Sequence, residues 1–115
     1  MEKEFRIEKR KKGDVIILDV VGDLTIGSND QAFKELVSDL VSRKQNKIVV
    51  NLEGVEFMDS SGVGAIVKSY TTVMNTGGRL KLLQPGRMIR QTLKSTGLLG
   101  IFEVFDDEAA AISSF

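Results

Sequence analysis

The segment Ile48-Val49-Val50-Asn51-Leu52 constrains this chain more than any other. A near-continuous apolar run of strand length, with no alternation of polar residues, is expected where both faces of a sheet are covered, and that is the situation of a central parallel strand. Parallel neighbours require crossover connections, usually helices. The flanks supply them. Upstream, Ser28, Asn29 and Asp30 offer helix caps, and Ala32, Phe33, Leu36, Val37, Leu40 and Val41 recur at helical spacing. Downstream, Ile66, Val67, Tyr70, Val73 and Met74 mark a second helix, ended by Gly77-Gly78.

The rest of the chain repeats this alternation after a different opening. Phe5 and Ile7 alternate with charged residues, and Val15-Ile16-Ile17-Leu18-Asp19-Val20-Val21 follows Gly13-Asp14, so a two-stranded hairpin is predicted. The basic run Lys9-Arg10-Lys11-Lys12 falls at its turn and reads as a solvated loop. Glu53-Gly54-Val55-Glu56-Phe57-Met58 reads as a loop between the central strand and the second helix. Leu80, Leu82 and Leu83 form a further strand, Pro85 opens a third helix carrying Met88, Ile89 and Leu93, and Gly97 stops it. Phe102, Val104 and Phe105 suggest a last short strand, and Asp106, Asp107 and Glu108 precede a final helix at Ala109-Ala110-Ala111-Ile112. The expectation is an α/β fold: a mixed β-sheet opened by an N-terminal hairpin, with about four helices packed against it. With 115 residues and no linker-like stretch, residues 1–115 are expected to form a single domain.

Composition removes several classes of function. Cysteine is absent, so thiolate metal sites, disulfides and cysteine nucleophiles are excluded. Histidine is absent as well, which removes the commonest general base and metal ligand. Lys+Arg and Asp+Glu balance at 16 each, which argues against binding nucleic acid through its phosphates. The start, Met1-Glu2-Lys3-Glu4-Phe5-Arg6, lacks the apolar stretch of a secretory signal, and no apolar segment approaches bilayer length. A cytoplasmic protein without membrane insertion is expected.

The segment with chemical interest is Asp59-Ser60-Ser61-Gly62-Val63-Gly64, at a strand-to-helix junction. On its own, Ser60 reads as a helix N-cap. Two features exceed a cap. A carboxylate and two hydroxyls converge on one helix N-terminus, while Gly62 and Gly64 keep the first turn free of side chains, at about 1 kcal/mol each in helix propensity relative to alanine. A phosphate on either serine would meet the positive end of the helix dipole, so the domain could accept it without refolding.

Val49-Val50-Asn51-Leu52 followed by Phe57-Met58-Asp59-Ser60-Ser61-Gly62-Val63-Gly64 resembles the signature of STAS domains, in particular the stand-alone anti-sigma-factor antagonists of bacteria. Gly22-Asp23-Leu24 after the second strand, Gly77-Gly78, and Ser95-Thr96-Gly97-Leu98 before Ile101-Phe102 agree in order, so nearly the whole chain is covered. The resemblance implies that the serine after the aspartate, Ser60, is phosphorylated by the partner anti-sigma factor, an ATP-dependent serine kinase. Ser61 is the less favoured neighbour. It further implies partner switching: the unphosphorylated antagonist captures the anti-sigma factor and frees the sigma factor, and a serine phosphatase of the PP2C type resets the phosphorylated form. The partner-binding set so implied is Asp23, Thr25, Met58, Asp59, Ser60, Ser61, Gly62 and Gly64. One position departs: many such antagonists read G-E-L-D where this chain has Gly22-Asp23-Leu24-Thr25, so a partner cation loses one carboxylate there.

Other classes fit less well. A serine nucleophile would need a base that histidine cannot supply here, and neither a G-x-S-x-G elbow nor a G-x-x-x-x-G-K-[ST] loop is present. The chain is therefore read as a ligand and kinase substrate, not an enzyme, with no cofactor of its own. The alternatives kept open are a STAS scaffold or adaptor in another bacterial signalling complex or transport system, and a constitutive binder in which Ser60 and Ser61 are only caps. Arg87, Arg90 and Lys94 share a turn-spaced face of the third helix and read as a solvated face.

Overall fold

A computed structural model describes residues 4–115; Met1-Glu2-Lys3, the first half of the charged N-terminal stretch, lies outside the described residues. The chain forms β1 (Arg6–Lys12), β2 (Val15–Leu24), α1 (Ser28–Ser42), β3 (Lys47–Met58), α2 (Ser60–Met74), β4 (Arg79–Leu83), α3 (Arg87–Ser95), β5 (Val104–Phe105) and α4 (Glu108–Ser113). The strands lie in the order β1-β2-β3-β4-β5. β1 pairs antiparallel with β2, and each later pair is parallel. The mixed α/β sheet with its opening hairpin is thus as expected from the sequence.

Period-two alternation decides which helix covers which face. In β2, Ile16, Leu18 and Val20 point to one side, where Ile48, Val50 and Leu52 of β3 and Leu80 and Leu82 of β4 join them. Phe33, Val37 and Leu40 of α1, Val63, Ile66 and Val73 of α2, and Ile89 and Leu93 of α3 close this core. The opposite face carries Val15, Ile17, Val49 and Leu83, covered only by the short α4 through Ala111, with Phe105, Ile112 and Phe115 packed beside it. Both faces are buried over Val15–Leu18 of β2 and Ile48–Val50 of β3, which is why Ile48-Val49-Val50 shows no polar alternation. Removing any of these large apolar side chains would cost roughly 2–5 kcal/mol.

Four local expectations are corrected. Glu53–Met58 is not a loop: β3 continues through it to Met58, parallel to β2, with register shifts between Asp19 and Val21 and between Gly22 and Leu24. Gly54 permits this, because a Cβ there would sit 2.9 Å from Val21 Cγ2 and 3.0 Å from the Val20 carbonyl oxygen. The basic run Lys9–Lys12 belongs to β1, an edge strand of the kind lysines keep from further pairing, and only Gly13-Asp14 makes the turn. Ala32 is exposed, so the α1 stripe is narrower than its sequence suggests. Pro85 precedes α3, whose N-cap is Gly86.

Candidate partner-binding site

The parallel strands β2 and β3 end together, with Leu24 beside Met58, and the chain leaves both at the same end of the sheet. In open α/β sheets, ligands gather where strands end and helices begin. The N-termini of α1 and α2 meet here, and one carboxylate joins them. Asp59 is the N-cap of α2: its Oδ1 accepts from the Gly62 N–H at 2.9 Å, and its Oδ2 accepts from the Ile26 N–H of the β2–α1 loop at 3.0 Å. These two backbone donors, Ile26 foremost, hold the Asp59 carboxyl below the usual carboxylate range.

The cap is therefore Asp59, where the sequence pointed to Ser60. Ser60 is the first helical residue and is exposed, and among the described residues its hydroxyl has no hydrogen-bond partner. Ser61 is half-buried. This division follows from chemistry: a carboxylate can accept two N–H bonds at once, so it takes the capping role and leaves the next hydroxyl unengaged.

The two glycines of this turn differ. Gly64 is exposed, and a Cβ added there would meet nothing within 4 Å. Gly62 is buried, and its Cβ would lie 1.9 Å from the Leu24 carbonyl oxygen and 2.7 Å from Met58 Cγ. Its absent side chain lets α2 settle onto the end of β2, so of the two glycines only Gly64 leaves the surface of the turn free of a side chain. Met58, 4% exposed, lies in the core beneath the corner. Of the eight residues proposed from the sequence, Met58 and Gly62 thus shape the corner from below.

On the α1 side, Asp23 and Thr25 are half-buried, and both hold the turn through backbone carbonyls. The Asp23 carbonyl accepts from Asn29 Nδ2 at 2.9 Å, and that of Thr25 accepts from the Asp30 N–H at 3.1 Å. Buried Asp30 in turn accepts from the Gly27 N–H at 2.9 Å, and Gly27 adopts φ 117°, a conformation that only glycine takes readily. The loop so fixed presents Ile26 to solvent, 74% exposed. Sequence reasoning missed Ile26, since a lone apolar residue between Thr25 and Gly27 carries no periodic signal.

On the α4 face of the sheet, several charges are paired with one another. Arg10 Nε donates to Asp19 Oδ2 at 2.6 Å, and its terminal nitrogens reach Asp19 and Glu108, while Asn51 Nδ2 donates to Asp19 Oδ1 at 2.8 Å. Arg90, read as part of a solvated face, bonds Asp106 and the Pro85 carbonyl; Arg87 and Lys94 remain exposed. Among the described residues no acidic cluster could hold a metal ion, and no helix is long and apolar enough to cross a membrane.

The chain is similar to known proteins over nearly its whole length. The STAS domain family model matches residues 6–111. An anti-sigma F factor antagonist of Paenibacillus polymyxa is 27% identical over 109 residues, covering 95% of this chain and 93% of the relative. The crystal structure of a candidate anti-sigma factor antagonist from Thermotoga maritima superposes with a TM-score of 0.84 at 28% identity, over 94% of this chain and 92% of that one. The Bacillus cell fate determinant SpoIIAA, solved in its phosphorylated form, gives a TM-score of 0.75 at 25% identity, over 96% and 98% of the two chains.

Proposed function

This chain belongs to the STAS domain family, and from that premise we propose that it acts as an anti-sigma-factor antagonist switched off by phosphorylation of Ser60. The observation that carries the reading is the contrast within one turn: Asp59 caps the helix, Ser61 is half-buried, and the exposed Ser60 hydroxyl is left unengaged. A relative named as an antagonist over almost the whole chain, and the like-folded SpoIIAA known in a phosphorylated form, support it.

In this reading the unphosphorylated corner, with Asp23, Thr25, Asp59, Ser60, Ser61 and Gly64 at its surface, docks onto an anti-sigma factor that is also a serine kinase. ATP belongs to that partner. Ser60 Oγ attacks the γ-phosphorus, its proton passes to a base on the kinase, the bond to the β-phosphate oxygen breaks, and ADP leaves. The new group brings a charge of about −1.5 to −2 beside Asp59, whose carboxylate has already taken the Gly62 and Ile26 donors. The added charge therefore faces outward, where it repels and obstructs a close-fitting surface. A serine phosphatase of the PP2C type, in the same cytoplasmic compartment, returns the hydroxyl by hydrolysis to inorganic phosphate. The chain itself is bound and modified, and is not an enzyme.

The test is affinity. Each serine-kinase anti-sigma factor of the source genome is purified and titrated with the wild-type chain and with Ser60→Asp. The cognate kinase should bind the variant about 100-fold or more weakly, which is roughly 2.7 kcal/mol. Equal affinity for both would defeat the switch.

A further inference from the structure

Four large hydrophobic residues are strongly exposed among the described residues: Ile26 at 74%, Met88 at 59%, Ile101 at 50% and Phe57 at 48%. Scattered singly, they would need no explanation. Three of them gather at one end of the sheet: Ile26 follows β2, Phe57 sits at the end of β3, and Met88 lies in the first turn of α3, which the chain enters from β4. Ile101 alone lies at the other end, ahead of β5.

Ile26 differs from the other two in how it is held. Its N–H is bonded to the Asp59 carboxylate, the following Gly27 N–H to buried Asp30, and the preceding Thr25 carbonyl to the Asp30 N–H. Gly27 at φ 117° completes a loop with little freedom to fold the isoleucine inward. A polar residue would serve a plain surface turn better, because leaving an isoleucine in water forfeits the burial that most such side chains obtain.

Resting on the antagonist reading above, we propose that Ile26 is the apolar anchor by which the anti-sigma-factor kinase seats itself over Ser60, entering an apolar pocket beside the partner's nucleotide cleft. Proximity selects that occupant. Ile26 is one hydrogen bond from Asp59, and Asp59 is one residue from Ser60. A protein surface that covers a typical 800 Å² or so on each partner reaches roughly 16 Å from its centre. Any kinase centred on Ser60 therefore lies over Ile26. The arrangement also gives the phosphate a second way to act: a dianion next to the anchor cannot be dried without cost, so the isoleucine can no longer be buried with the corner.

The test compares Ile26→Ala, Ile26→Leu and Ile101→Ala with wild type, using the same purified kinases, by titration calorimetry and by initial rates of phosphorylation. Ile26→Ala should lower both affinity and kcat/KM at least tenfold, Ile26→Leu should recover most of the loss, and Ile101→Ala should behave as wild type. Thermal midpoints should coincide, since both positions are exposed. A kinase that binds wild type and Ile26→Ala within twofold of each other would overturn the anchor while leaving the antagonist reading intact. If none of these kinases binds or phosphorylates wild type, the antagonist reading fails and the anchor falls with it.

Discussion

Asp19 and Asp59 both carry carboxyls held below the usual range, and the causes set two regions of the molecule apart. Asp19, on the α4 face of the sheet, is lowered chiefly by its hydrogen bond to the Arg10 guanidinium, with Asn51 adding a second. Arg10 also holds Glu108 at the start of α4, so both carboxylates of this network share one cation. Asp59 is lowered by backbone N–H groups of Ile26 and Gly62, neutral donors that leave its charge unmatched. The first region uses up its donors and acceptors to fasten an edge strand to the last helix. The second uses its carboxylate to fix a corner and keeps a hydroxyl and an isoleucine unspent. A fastening and the proposed docking site can thus share a depressed pKa and differ in what remains available.

The largest test of that contrast concerns how firmly the proposed docking corner is built. Gly62→Ala would drive a methyl to 1.9 Å from the Leu24 carbonyl oxygen, and α2 would have to shift. Urea denaturation should show a loss of about 3 kcal/mol. A loss under about 1 kcal/mol would mean the corner is pliable and the comparison mistaken.

Arg10→Met comes next. It strips the shared cation from two half-buried carboxylates, and stability should fall by about 1–2 kcal/mol while partner affinity stays unchanged. Because the folded pKa values of Asp19 and Glu108 are depressed, their contribution is present above the ordinary carboxylate range of about 3.9–4.3 and is lost as pH falls through the depressed values. The stability of wild type should therefore drop on acidification below about pH 4, and Arg10→Met should flatten that drop. The portion due to Asp59 has the same sign but rests on backbone donors, so it should survive Arg10→Met. A variant with an unaltered acid profile would show that Arg10 does not hold these groups.

Gly64→Ala adds a side chain to open space two residues beyond Gly62, and should stabilise the fold by about 0.5–1 kcal/mol. The opposite signs expected at Gly62 and Gly64 separate packing from surface clearance. If Gly64→Ala nonetheless weakens partner binding, Gly64 is kept bare for the partner. Smallest of all should be the effect of Ser60→Asp on folding. A negative charge in the first turn of α2 is tolerated there, so stability should change by less than about 0.5 kcal/mol, and a larger loss in a thermal melt would make Ser60 structural.

Much of this architecture was legible in the sequence because its strongest signals are periodic. The apolar run at Ile48 placed a central strand, and the stripes through Phe33 and Ile66 placed its crossover helices. The second half of β3 was not legible: Gly54 and the mixed residues from Glu53 to Phe57 look like a loop, and they form strand because β2 extends alongside to Leu24. Lys9–Lys12 misled in the same way, since an edge strand resembles a polar turn until its partner is known. At the site, Asp59 and Ser60 could be named but not assigned their parts, because the second acceptor bond of Asp59 comes from Ile26, 33 residues earlier. The link from Arg10 to Glu108 spans 98 residues and leaves no local trace.

Phosphosite mapping tests the central claim most directly. Wild type, Ser60→Ala and Ser61→Ala are incubated with the cognate anti-sigma-factor kinase and ATP, then weighed intact and fragmented by mass spectrometry. One phosphate on Ser60 in wild type and Ser61→Ala, with none on Ser60→Ala, is the expected result. A phosphate that maps to Ser61, or persists in Ser60→Ala, would contradict the account.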